Sequence, residues 1–285
     1  MQHHLCVTCG AQFAATAAPP ESCPICDEER QYVGHAGQQW TTLDELRKDH
    51  RNQIEVIEPG LRGIATTPPV AIGQQAHLIE TTAGNVLWNC ISFIDDATVA
   101  AVEERGGLAA IAISHPHFFT AMVEWSRAFG GVPVVVHGDD RDWVMRPDEL
   151  IKFWSGETAD PLPGSGLTLI RCGGHFPGSC VLHWPEGAAG AGALLTGDTI
   201  QVAGDRRWVS FMYSYPNLIP LGPESIRGIV EAIAPYDFDR LYGGWSGSVV
   251  ATDAKAAVGR SAARYLARIG ASGQSAGGSA ISARG

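Results

Sequence analysis

Two CxxC pairs, "CVTCG" at residues 6–10 and "CPICD" at residues 23–27, constrain the start of this chain more than any other feature. Each CxxC turn aims two thiolates at one point, and the thirteen residues between Cys9 and Cys23 let the two turns meet around one ion. A segment this short cannot bury enough apolar surface to fold unaided, so a bound metal has to staple it. Cys6, Cys9, Cys23 and Cys26 are expected to form a tetrahedral zinc site, with iron the minor alternative. Four sulfur ligands leave no open coordination position, so the site is expected to be structural.

This N-terminal segment resembles a zinc ribbon with rubredoxin-like turns, and it is expected over residues 1–35. A linker and short helix, with Thr41 or Thr42 as cap and Glu45 completing a capping box, are expected over 36–53. Seven cysteines, an odd number with two CxxC pairs among them, favour metal binding in a reducing compartment over a disulfide framework. The start "MQHHLCVTCG" has neither a basic nor an apolar leader region, and no apolar run approaches the roughly 20 residues that span a bilayer. The reading is therefore a cytoplasmic protein without membrane contact. A net charge of −10 makes nucleic acid a poor partner, and residues 1–50 offer only Arg30, Arg47 and Lys48 against seven acidic side chains. The ribbon is expected to contact protein instead, either its own main domain or a second subunit in a homo-oligomer.

The main domain is expected over residues 54–269. "IEVIEP", "RGIATTP", "HLIETT" and "GNVLWNC" are short strand-like runs broken by turn residues, which reads as an antiparallel meander. The pattern then alternates: helix 95–104, strand 109–114, helix 119–129 and strand 132–136. Further strands are expected at "LTLIRC", "SCVLHW", "GALLTGD" and "DRLYGG", with helices at "GPESIRGIVEAIAPY" and "TDAKAAVGRSAARYLARIG". Strand blocks beside βα units imply sheets packed face to face with helices outside, an α+β class. The small, polar stretch 270–285 is expected to be disordered.

His115 and His117 end the apolar run "LAAIAIS", and in extended chain residues i and i+2 leave on the same face. His175 lies in the Gly-rich loop "CGGHFPGSC", and Asp198 ends the strand-like "ALLTGD". Three imidazoles and a carboxylate, each at a strand tip, supply a donor set that zinc accepts. In "VVVHGDDRDW", His137, Asp139, Asp140 and Asp142 read as a solvated loop in which Asp139 or Asp140 caps the following turn, although the cluster is near enough to reach the pocket edge. Cys172 and Cys180 read as core residues.

The order of these motifs, a His-x-His pair after a strand, a Gly-His-x-Pro-Gly loop and a Thr-Gly-Asp, resembles the metallo-β-lactamase fold superfamily over roughly residues 54–268. The resemblance implies an αββα sandwich with a metal site at one sheet edge. His115, His117 and His175 match the ligands of the first metal, Asp198 matches the bridging aspartate, and Asn89 falls where many members place an aspartate. The usual pattern continues His-x-His-x-Asp-His, but Phe119 and Thr120 occupy the last two positions here. Trp245, in "YGGWSG", stands where a late histidine is usual. All three ligands exclusive to a second metal are thus replaced, and a mononuclear site is expected, holding one zinc or iron.

In that reading Asp198 is a terminal ligand or the catalytic base. Phe119, Thr120 and Trp245 line the substrate pocket, and Ser114 and Ser246 stand near it. The implied activity is hydrolysis of an ester, thioester or lactone-type carbonyl in a small molecule. Two alternatives remain: a mononuclear iron thiol oxygenase using a two-histidine, one-carboxylate set, and a degenerate member serving as a binding scaffold.

Overall fold

The computed structural model describes residues 1–271. The disorder expected over 270–285 therefore lies, from residue 272 on, outside the described residues. Two large sheets form the body. Seven strands, Arg51–Glu58, Leu61–Thr67, Gln75–Ile79, Val86–Trp88, Ala110–Ala112, Val134–His137 and Ile151–Trp154, lie side by side in chain order. The first four pair antiparallel as a meander, and the last three join in parallel. Parallel pairing needs crossover connections, and the helices Asp96–Glu103 and Met122–Ala128 supply two of them. The first is started by Asp95, whose side chain accepts from Thr98 N at 2.7 Å.

The second sheet has six strands, Thr158–Ala159, Thr168–Arg171, Cys180–Trp184, Ala193–Leu195, Arg240–Tyr242 and Val249–Val250, again in chain order. Its one parallel pair, Ala193–Leu195 beside Arg240–Tyr242, is connected through the helix Pro223–Ile233. The helix Ala254–Arg268 follows the last strand.

Period-two alternation sorts the side chains of these strands into three cores. Val86 and Trp88 point to the centre while Leu87 points outward; Ala110 and Ala112 face the centre while Ile111 faces outward. In the other sheet Leu169, Cys180, Leu182, Ala193 and Leu195 meet that central layer, and Ile170, Val181 and Leu194 face away. The outer face of the first sheet packs on Val102, Met122, Val123 and Trp125 of its helices. The outer face of the second packs on Ile226, Ile229, Ile233, Ala257, Val258 and Ala262. Helix, sheet, sheet, helix is the αββα sandwich expected from the motif order.

The N-terminal module sits on this body. Cys6, Cys9, Cys23 and Cys26 are buried with Ala11, Phe13 and Ile25, and Trp143 and Met145 of the sandwich pack against them. Leu5 joins the outer core of the first sheet. Gln12 N donates to Thr120 O and Ala14 N to Met145 O, both at 3.1 Å. Of the two protein contacts expected of the ribbon, the one with its own main domain is made.

Two boundaries differ from expectation. The first strand begins at Arg51, not Ile54. Its side chains alternate between exposed and half-buried along a sheet edge, so an apolar pattern has little to report there. The helix expected at 119–129 is a 3₁₀ turn over Pro116–Phe118 followed by a helix over Met122–Ala128. Thr120, at φ +33°, breaks the path between them.

Candidate metal centre

His115 and His117 follow the strand Ala110–Ala112, and the chain there is clamped from the neighbouring strand end. Asn89, fully buried at φ +64°, donates its N–H to Ala112 O and accepts Ser114 N–H on Oδ1, both at 2.8 Å. Asparagine tolerates this left-handed conformation better than most residues, which accounts for its use at a corner that also needs an acceptor. Ser114 Oγ then lies 2.8 Å from His115 Nδ1, orienting the ring so that Nε2 points into the site. The "TGD" glycine belongs to the same construction: at Gly197, φ +53°, a Cβ would stand 2.7 Å from Ser114 Oγ. His175 is held through Nδ1, 3.2 Å from Met212 O.

Four donor atoms converge. His115 Nε2, His117 Nδ1 and His175 Nε2 lie 3.2, 3.3 and 3.7 Å from Asp198 Oδ2, and His175 Nε2 lies 3.2 Å from His117 Nδ1. A tetrahedral ion with bonds of about 2.0–2.2 Å sets its ligands about 3.3–3.6 Å apart, so the spacing fits a single zinc-sized ion. Asp198 Oδ1 is buried without a hydrogen-bond partner, as is His117 Nε2. Among the cysteines, Cys6 Sγ–Cys26 Sγ is 3.5 Å and Cys9 Sγ–Cys23 Sγ is 3.7 Å, close to the roughly 3.8 Å edge of a tetrahedron with 2.3 Å metal–sulfur bonds. The chain thus carries two groups of buried residues able to hold metal ions, each with its donor atoms within 4.8 Å of one another.

The electrostatics suit a cation at the first group. Burial holds the His115 imidazole below its ordinary pKa and His175 well below, so both are neutral donors near pH 7. Burial pushes the Asp198 carboxyl up, but hydrogen bonds from His115 and His117 and the adjacent imidazoles outweigh it and keep the group ionised. The site opens into a cavity of about 160 Å³ lined by Ile72, His117, His175, Asp198, Gln201, Tyr215, Pro216, Trp245 and three ribbon residues, Arg30, Gln31 and Tyr32.

The other expected site residues are distributed differently. Trp245 lines the cavity and is pinned by Nε1 donating to Ile72 O at 2.9 Å. Phe119 and Thr120 do not line it: Phe119 is buried in the outer core, and the buried Thr120 presents its carbonyl to Gln12 N of the ribbon. The 3₁₀ turn carries both behind the histidines, which corrects their assignment to the pocket. Asp140 does not cap its own turn, where His137 Nδ1 accepts from Asp139 N. Instead its buried carboxylate accepts Gly178 N–H at 2.8 Å and steadies the His175 loop.

Nothing in the sequence signals the ribbon residues at the cavity, nor Gln74 and Tyr215 beside the donors. Gln74 Nε2 donates to His117 O at 2.9 Å and to Cys9 O at 3.3 Å, tying the histidine turn to the cysteine turn. Tyr215 donates its hydroxyl to Asp198 O at 3.2 Å. These contacts join segments far apart in the chain, and no local pattern signals them.

Fold and donor set together define a metallo-β-lactamase-fold protein with an N-terminal four-cysteine module. The crystal structure of VMB-1 superposes with a TM-score of 0.57 at 13% identity, covering 77% of this chain and 98% of that chain. The DIM-1 metallo-β-lactamase superposes with a TM-score of 0.57 at 13% identity, covering 76% and 98%. No protein-family model matches the chain. Within this fold the chain belongs to the family of the Bacillus subtilis (strain 168) relative described as "Uncharacterized protein YmaE", with 50% identity over 268 residues, 93% of this chain and 96% of that protein.

Proposed function

We propose that this protein is a mononuclear metal-dependent hydrolase acting on an ester, thioester or lactone-type carbonyl of a small molecule, with zinc in the histidine cluster and a second, structural zinc in the ribbon. The observation that carries this reading is the convergence of His115 Nε2, His117 Nδ1, His175 Nε2 and Asp198 Oδ2 at the spacing of a tetrahedral ion's ligands, beside a cavity. A bound ion would supply Lewis-acid polarisation of the carbonyl and acidification of a water molecule.

The chain's own groups supply the rest. Ser114 Oγ and Met212 O fix the His115 and His175 rings, so no reorganisation is needed when a substrate arrives. Asp198 keeps Oδ1 without a protein partner, placed to orient a water or take its proton. Ile72, Tyr215 and Trp245 wall the cavity against bulk water.

Three observations favour one ion over two. Phe119 offers no ligand atom, Thr120 is buried away from the cavity, and the indole of Trp245 has an N–H donor but no lone pair for a metal. Among the described residues, the four cysteines are the other group of three or more His, Cys, Asp or Glu residues close enough to share an ion. Convergence of all three histidines also favours zinc hydrolysis over the iron oxygenase, whose two-histidine, one-carboxylate set would leave one imidazole spare. No helix among the described residues is long and apolar enough to cross a membrane, and four paired thiols suit the reducing cytoplasm.

The test is turnover of a panel of thioesters, lactones, lactams and phosphoesters by zinc-loaded protein and His115→Ala, with oxygen uptake monitored in the presence of a thiol. Carbonyl hydrolysis that disappears in His115→Ala is expected. Thiol-dependent oxygen uptake, or no turnover of any substrate, contradicts the hydrolase.

A further inference from the structure

The ribbon does more than decorate the sandwich. The segment after Cys26 crosses the mouth of the histidine site and is fastened there from the opposite side. Ser214 Oγ donates to Arg30 O at 3.2 Å, and Asn217 Nδ2 donates to Glu29 O and Gln31 O at 2.8 and 2.7 Å. Tyr213 OH donates to Glu28 Oε1 at 3.0 Å. The strap is thus held by the cysteine cluster at one end and by a sandwich loop along its length.

Arg30 is its cation at the cavity, and the only Lys or Arg among the eleven residues that line it. Its guanidinium lies between two aromatic faces, 4.4 Å from the Phe176 ring centroid and 4.5 Å from Tyr213. Phe176 in turn packs on all three histidine rings, at 5.7, 5.1 and 5.1 Å from His115, His117 and His175. Stacking of this kind freezes the guanidinium plane before any ligand arrives. Nη1 meets Glu28 Oε1 at 2.7 Å. Nε is buried and, among the described residues, has no hydrogen-bond partner. Glu28 is itself occupied, its other oxygen accepting Arg30 N–H at 2.8 Å. A guanidinium has five N–H donors in a fork that matches a carboxylate, and most of this one is unspent. Beside it, Gln31 is buried against the same cavity with Oε1 unpartnered.

We propose that the ribbon supplies the specificity wall of the histidine site and that Arg30 recognises a carboxylate on the substrate. This rests on the hydrolase reading and narrows it to small esters, thioesters or lactones that carry an anionic group away from the scissile carbonyl. A preorganised cation gives discrimination against neutral analogues, because its desolvated donors go unfilled when the carboxylate is missing.

The probes are butanohydroxamate and succinate monohydroxamate, which share a metal-binding head and differ by a methyl against a carboxylate at the far end. Their affinities for the zinc-loaded full chain are measured by calorimetry, without turnover. Wild type is expected to prefer the carboxylate by about tenfold or more, the worth of one charge-assisted hydrogen bond. Arg30→Gln is expected to bring the two within about twofold, and Arg30→Lys, which keeps the charge, to retain a preference. Equal binding of the two probes by wild type overturns the role of Arg30 and leaves the metal site standing, as does a preference undiminished in Arg30→Gln. If Arg30→Gln does not fold, Arg30→Lys decides: a preference retained but smaller than that of wild type supports the account, because the charge stays and the fork is lost, whereas a complete loss of the preference or one equal to wild type overturns it. Binding of neither probe by wild type overturns the metal-site reading and the inference with it.

Discussion

Asn89 is the residue whose loss should report most clearly on how the site is built. Asn89→Gly keeps a backbone that accepts φ +64° but leaves the buried Ser114 N–H without its acceptor. An orphaned buried donor costs about 1–3 kcal/mol. Asn89→Ala also puts a residue less tolerant of the left-handed region than asparagine there, which adds up to about 2 kcal/mol, for a total of about 1–5 kcal/mol. For a chain of this size each kcal/mol moves the melting temperature by about 2–4 °C, so Gly should fall by several degrees and Ala further. Ser114 also orients His115, so metal affinity at the histidine cluster should drop by about 10-fold or more in both variants, the usual effect of disturbing a ligand's support. Differential scanning calorimetry of the full chain, with a zinc competition titration, reads both. Melting within about 2 °C of wild type for Asn89→Gly would refute the hydrogen-bond argument. An Ala variant as stable as the Gly variant would refute the backbone argument.

Removing the ribbon metal by Cys23→Ser with Cys26→Ser should lower the metal content by one equivalent and leave the histidine cluster able to bind; unchanged stoichiometry by elemental analysis would sink the ribbon site. Asp140 has a pH signature. Burial lifts its carboxyl from 3.8 to about 7, so between those values the native chain holds a proton that the unfolded chain has lost. Its contribution to stability is full below about pH 4 and is lost as pH rises through 7, so Asp140→Asn should gain on wild type by up to about 4 kcal/mol between pH 4 and pH 8. A stability difference between the two that does not change with pH would contradict this. Gln74→Ala should destabilise the chain by about 1–3 kcal/mol, because Cys9 O and His117 O lose the amide that joins them; chemical unfolding with both metals loaded checks it.

Much of this molecule could be read from local pattern. The three-core layering follows from alternation in runs such as Val86–Trp88 and Ala110–Ala112, where large and small apolar residues take opposite faces. The four donors of the histidine cluster were legible because each follows an apolar run, and the ends of strands from both sheets meet in space. Local pattern failed where a turn decides direction. The position of Phe119 depends on the 3₁₀ turn at Pro116–Phe118, which a helical reading of "FFTAMVEW" does not contain. It failed again where partners are distant: Arg30 is set against Phe176 and Tyr213, more than a hundred residues away, and nothing near "DEERQY" signals a cavity wall.

The central claim is that His115, His117, His175 and Asp198 hold one ion. Anomalous scattering from crystals of the zinc-loaded full chain locates every bound metal directly. The account predicts two ions per chain, one among the cysteines and one at about 2.0–2.2 Å from His115 Nε2, His117 Nδ1 and His175 Nε2. A pair of ions about 4 Å apart in the histidine cluster, or none there at all, would contradict it.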